Sequence, residues 1–141
     1  MLNYNSPIME TKEYPDIKIS EVEPILKINL RGKNRDFVTK VGKELSLEDG
    51  QKAAKLCAIN ILAQAKKAMN GDLNKIKNCV KITGFVNSTD DFADQPKVIN
   101  PASETLSAVF GENGKHTRAA VSTNSLPLGA AVEIDAIFEV K

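Results

Sequence analysis

One histidine, His116, and two cysteines, Cys57 and Cys79, are all the imidazole and thiol that the 141-residue chain contains. No second histidine or cysteine stands at metal-ligand spacing, which argues against a zinc hydrolase. A nucleophile-elbow sequence is also missing, so a Ser-His-Asp hydrolase lacks its local signature. Both cysteines sit in apolar surroundings at spacings that match no redox motif and read as buried thiols in a reduced compartment. Charge of one sign is equally scarce. Nineteen Lys and Arg face eighteen Asp and Glu, a net of +1, so no global field gathers nucleic acid or an anionic membrane. Five Phe and two Tyr form no evident basic-aromatic platform for single-stranded RNA. No window approaches the roughly 20 apolar residues that span a bilayer, and the first five residues lack the basic start and apolar run of a secretory signal. The expectation is a soluble cytoplasmic protein. Asn87-Ser88-Thr89, a glycosylation signal only in a secreted chain, reads as a polar turn at a strand end.

What remains is the composition of one globular domain over residues 1–141, 42% hydrophobic and 26% charged. At this size, association between copies can supply much of the stability. The first 20 residues are polar and contain Pro7 and Pro15. Ile17, Ile19, Ile25, Ile28 and Leu30 alternate weakly, as strands do, and Arg31-Gly32-Lys33-Asn34-Arg35 reads as a solvated turn. A helix is expected from Ser46, whose hydroxyl can cap free amides while Asp49 answers it. Ala54, Cys57, Ala58, Ile61, Leu62, Ala65 and Met69 give that helix an apolar face, and Gly71 is a plausible left-handed stop.

Val80–Val86 is rich in β-branched and aromatic residues and reads as a core strand. A second helical region follows, with Pro96 in a first turn. Pro101 argues against one continuous helix there, because an interior proline removes a hydrogen bond and crowds the preceding turn. The alternative is a new helix opened by Asn100-Pro101, carrying Leu106, Val109 and Phe110 and ended by Gly111. From Thr117 the pattern is strand, loop over 124–129, strand. In the last strand Val132, Ile134, Ala136, Phe138 and Val140 alternate with polar residues, as in a sheet with one buried face. Together these elements predict an α+β layer with helices covering one face of a mostly antiparallel sheet.

Few residues are left to carry chemistry. His116 is open to two readings, a hydrogen-bonded surface histidine or part of a site. Arg118 opens an apolar strand, where five planar donors need a carboxylate, a phosphate or water. A small carboxylate ligand would suit it, and so would a salt bridge to Glu133 or Asp135. Glu133 is either an exposed strand residue or a carboxylate that orients water beside a substrate.

In order and spacing, residues from about Gly42 to Lys141 resemble the RidA/YjgF family. The matching pieces are Gly50-Gln51-Lys52-Ala53-Ala54, Val80–Val86 with its Thr83-Gly84-Phe85, Asp91-Phe92, and the Arg118 strand followed by Leu126-Pro127 and Val132-Glu133-Ile134-Asp135-Ala136. It is most similar to a divergent branch, with Asp94-Gln95-Pro96-Lys97-Val98-Ile99-Asn100 and a Gly-Lys-His-Thr-Arg approach to the last strands. The resemblance implies a chorismate-mutase-like α+β fold with two main helices on one face of the sheet, assembled as a homotrimer with three intersubunit clefts. It implies hydrolysis of reactive enamines or imines, such as 2-iminopropanoate, to 2-oxo acids and ammonia, without metal or organic cofactor. Arg118 matches the arginine that grips the substrate carboxylate, and Glu133 the acid that positions water. Asn100 matches a cleft asparagine after a one-residue shift, and His116 joins the substrate-binding set beside Arg118. Ala120 stands where relatives often carry cysteine, which keeps a backbone amide but no thiol. Residues 1–40 match poorly, and Ile28–Asn34 lacks the Ser-Gly that lines the family's cleft. Two other functions follow from the resemblance: a non-catalytic trimer that binds a small carboxylate or a partner protein, and the RNA cleavage for which some relatives are named.

Overall fold

Ser46 opens the first helix as its sequence predicts. Its Oγ accepts the Asp49 amide at 3.1 Å, while the Asp49 carboxylate accepts the Ser46 amide at 3.0 Å, a reciprocal cap. These bonds, led by the one from the Ser46 backbone, hold the Asp49 carboxyl below its ordinary pKa. The computed structural model describes residues 25–31, as backbone, and 40–141; the expectations at Pro7, Pro15, Ile17, Ile19 and 32–35 lie outside these residues. Its main elements are β1 (Ile25–Arg31), α1 (Leu47–Ala68), β2 (Ile76–Asn87), α2 (Gln95–Phe110), β3 (Thr117–Thr123) and β4 (Val132–Val140).

Ala54, Cys57, Ala58, Ile61 and Ala65 of α1 are buried, and Gly50, Ala53 and Ala68 widen the stripe. So many small side chains let the helix axis lie close to what it covers. The helix stops at Ala68, and Asn70 and Gly71 both adopt left-handed backbone, with φ of 55° and 91°.

The second helical region is one helix, contrary to the break expected at Pro101. Pro101 has no N–H for the carbonyl of Lys97, four residues back. That carbonyl instead accepts the Gln51 side-chain amide of α1 at 2.9 Å, so the lost bond is replaced by one between helices. Thr105 Oγ1 donates to the Pro101 carbonyl at 2.7 Å and tightens the next turn. Pro96 lies in the first turn, and Gly111, with φ of 60°, ends the helix.

The sheet order is β1-β4-β2-β3; β4 pairs antiparallel with β1 and β2, and β3 pairs parallel with β2. Strand β2 starts at Ile76, four residues before its apolar block. Two register irregularities between Ile76 and Lys81 let Ile76, Cys79 and Ile82 all turn inward, a spacing of three that simple alternation does not detect. In β4, Val132, Ile134, Ala136 and Phe138 are fully buried, as their alternation predicts. Both helices lie on this face: Phe110 of α2 packs on Phe138 with ring centroids 5.9 Å apart, and Cys57 of α1 reaches the Val132 carbonyl at 3.8 Å.

Asn87 ends β2 but is not an exposed turn residue. It is buried, its amide side chain donates to the Ala130 carbonyl at 3.2 Å, and its Oδ1 accepts Lys40 Nζ at 3.1 Å. Lys40 Nζ also donates to the Asn124 carbonyl, tying the entry to α1 to the β3–β4 loop.

Gly84 fixes how closely α2 approaches the sheet, because a Cβ there would lie 2.5 Å from Ile99 Cδ1 and 2.6 Å from Cγ1. Ile99 is fully buried and the whole side chain would have to move. Gly84→Ala is therefore expected to cost about 1–3 kcal/mol through overpacking, read as a lower urea midpoint with an unchanged m-value. The helix cap has a pH signature. Because the folded-state pKa of Asp49 is depressed, its contribution is present above the ordinary carboxylate range and is lost as pH falls through it. An Asp49→Asn variant should lose part of the wild-type decline in stability over that acid interval, measured by urea titration at successive pH values.

Candidate functional site

Three short pieces of chain meet beside the C-terminal half of α2: the helix turns from Asn100 to Ser107, the 3-10 turn Gly111–Gly114, and the start of β3. Gly114 lies flat on the helix, where a Cβ would stand 2.6 Å from the Leu106 carbonyl oxygen. Its own carbonyl faces the ring of His116, with Nδ1 at 2.6 Å. A carbonyl can only accept, so Nδ1 carries the proton, and in the neutral ring Nε2 is left as an acceptor. Ser103 Oγ stands 2.9 Å from that Nε2 and is its donor. Arg118 then approaches from β3, and its Nη1 donates to Asn100 Oδ1 at 3.0 Å and to Ser103 Oγ at 3.2 Å. A directed chain results, running from Arg118 through Ser103 and His116 to the Gly114 carbonyl.

Ser103, Ser107, Lys115, His116 and Arg118 line an open cavity of about 270 Å³. Lys115 is ion-paired with Glu112 at 2.7 Å, but both side chains are mostly in water, so the pair is worth little. The cavity therefore presents a cationic rim, two hydroxyls and one imidazole. That set suits a small anion, with Arg118 as the group able to hold it in a fixed plane.

Asn100, His116 and Arg118 are thus brought together. Ala120 lies two residues along β3 on the same face, opposite Gly84. Ser103 was not anticipated from sequence. Its only signal is a polar row, Asn100, Ser103, Ser107, at three- and four-residue spacing along α2, placed to meet an arginine that needs acceptors. The salt bridge expected between Arg118 and Glu133 or Asp135 is not formed: β2 separates their strands, leaving them two strand spacings, about 10 Å, apart.

Glu133 is not an exposed strand residue either, being only 2% exposed. It lies level with Phe85, whereas Arg118 is level with Ile82, which faces the helices. Neighbouring strand residues point to opposite faces, so Glu133 and Arg118 of one chain are on opposite sides of the sheet. The two residues expected to share a cleft do not share one within a single copy.

Thiols take no part in this cavity. Cys57 and Cys79 are buried and form no disulfide, and burial pushes the Cys79 thiol up to about 12. Among the described residues, no group of three or more His, Cys, Asp or Glu is placed to hold a metal ion, and no helix is long and apolar enough to cross a membrane.

An α+β sheet with both helices on one face and an arginine-centred cavity at the edge strand describes a known class. The family model described as "YjgF/chorismate_mutase-like, putative endoribonuclease" matches residues 26–139, and the chain belongs to this RidA/YjgF family. It is similar to protein Atu1372 of Agrobacterium tumefaciens, whose crystal structure is of unknown function: 44% identity, 85% of this chain and 78% of that one covered, TM-score 0.82. RidA from the Antarctic bacterium Psychrobacter is 29% identical, with 85% and 84% covered and a TM-score of 0.54. Protein TCP17 of Trypanosoma cruzi is 45% identical over 101 residues, 71% of this chain but only 62% of its own length.

Native protein treated with an aromatic disulfide reagent near neutral pH should release almost no thiolate, and two equivalents should appear on unfolding in guanidinium.

Proposed function

We propose that the chain hydrolyses reactive 2-imino acids and their enamine tautomers, of the 2-iminopropanoate kind, to 2-oxo acids and ammonia. The observation that carries this reading is how Arg118 is used. Its Nη1 donates to both Asn100 and Ser103, so among the described residues the Nε–Nη2 edge is left for a ligand. A carboxylate fits that edge with two parallel bonds, which lysine cannot reproduce. A 2-imino acid has its electrophilic carbon one bond from the carboxylate, so anchoring the acid at Arg118 puts the reacting carbon near Ser103 and His116. Asn100 holds the guanidinium in plane, and Ala120 offers a small side chain and a backbone amide beside it. A protonated imine is already electrophilic, and the protein's contribution is to position it against water.

Glu133 orients the attacking water in this scheme. Since it lies on the far face from Arg118, the two meet only if Glu133 comes from another copy, which supports a homotrimer with its clefts between subunits. The reaction uses no metal or organic cofactor, and a cavity of about 270 Å³ on a chain of net charge +1 favours a small carboxylate over RNA.

The test couples purified protein to an enzyme that generates the imine and follows ammonia and 2-oxo acid. Release above the buffer rate is expected. Arg118→Ala should lower kcat/KM by about 10²-fold, the equivalent of about 3 kcal/mol for a lost charge-assisted pair. Equal rates with and without protein would refute deamination, and pyruvate binding that depends on Arg118 would then mark a carboxylate sensor. Light scattering should give three chain masses, and a monomer would remove the shared cleft.

A further inference from the structure

We propose that His116, acting through Ser103, is the proton carrier of the Arg118 site. This rests on the reading of Arg118 as the carboxylate anchor and adds a catalytic role that anchoring alone does not require. Three observations converge on it. The Gly114 carbonyl takes the Nδ1 proton at 2.6 Å, so the tautomer is set by backbone and Nε2 is held as a base. Ser103 Oγ stands 2.9 Å from that base and 3.2 Å from Arg118 Nη1, so one hydroxyl touches both the base and the anchor. All three side chains line the same cavity.

A base, an orienting group behind it and a hydroxyl in front of it make a complete proton relay. Glu133 of the same chain cannot serve as that relay, because it projects from the other side of the sheet. In the scheme above it orients the water, while Ser103 and His116 move the proton.

The steps balance. Water oxygen forms a bond to the iminium carbon, the C=N π pair moves onto nitrogen, and the proton released by the water passes through Ser103 to His116 Nε2. The relay then returns that proton to the amine nitrogen of the carbinolamine. The C–N bond breaks, ammonia leaves with the bonding pair, and the carbonyl forms. The remaining hydroxyl proton leaves with ammonia as ammonium. No oxidant or other co-reactant is needed.

The neutral ring is the working form. Facing it are Ser103 and Ser107 from α2, Arg118 from β3, and Lys115, whose charge is partly answered by Glu112.

His116 is the only histidine, so its ring resonances in the untagged protein need no assignment. In the wild-type protein, ¹⁵N shifts should show a protonated Nδ1, and titration with pyruvate should move them; Arg118→Ala should abolish the movement. His116→Gln keeps a hydrogen-bonding group for Ser103 without a titratable proton. It should lower kcat by about 10²-fold, change KM less than about threefold, and remove one limb of the pH–rate profile. Ser103→Ala should lower kcat likewise, with Ser103→Thr restoring part of it. A His116→Gln enzyme with wild-type kcat and an unchanged profile would overturn the relay while leaving deamination at Arg118 intact. A His116 ring unmoved by pyruvate that binds through Arg118 would also overturn it. Wild-type protein without deamination would remove both.

Discussion

Everything at the cavity depends on how near α2 comes to the sheet, and that distance is set by a missing side chain. Gly84 leaves room in β2 for Ile99 to lie against the strand, where any Cβ would be within 2.6 Å of two of its carbons. Ile99 and Ser103 are one helical turn apart and share a face, and Asn100 follows Ile99 directly. Seating Ile99 on Gly84 therefore lowers Asn100 and Ser103 to the level of β3, within 3.0 and 3.2 Å of Arg118. Gly114 repeats the device at the other end, lying flat on the Leu106–Ser107 backbone so that its carbonyl meets His116. Two glycines thus convert ordinary helix-on-sheet packing into a directed hydrogen-bond chain.

Much of the fold was legible because its signals are local. Ser46 with Asp49 announces a cap, the small apolar row of α1 announces a buried stripe, and the alternation in β4 names the residues that face the helices. What escaped local reading depends on distant residues. Pro101 breaks a helix unless something else takes the Lys97 carbonyl, and the partner, Gln51, is 46 residues away. Arg118 reads as a salt-bridging residue unless the order β1-β4-β2-β3 is known, because only that order puts β2 between it and Glu133. Ser103 in mid-helix looks like any polar residue until the strand opposite is identified. Family resemblance supplied Arg118 and Glu133 as a pair, whereas their geometry within one chain separates them.

That separation bears on any scheme that uses both residues. An arginine on the helix side of an edge strand and a buried acid on the other face of the same sheet cannot act on one small molecule inside one copy. Neither residue is displaced from a sound local environment: Arg118 is held by two acceptors, and Glu133, near the start of β4, is paired with a strand on each side. Both are held in place within a single copy.

Strand β3 carries a further implication. Among the described residues it has β2 on one side only, so the outer edge of Thr117–Thr123 presents alternate backbone donors and acceptors. Its flanking side chains are short, Ala119, Ala120, Ser122 and Thr123, and Val121 is exposed. Such an edge invites strand addition, and natural proteins usually blunt it with charge, proline or cover. Here the only charge on the strand is Arg118, already committed to α2. Colloidal behaviour and the arginine-centred cavity consequently depend on the same seven residues. Changes that loosen Arg118 from the helix would free its charge at that edge while undoing the cavity, so the two properties oppose each other.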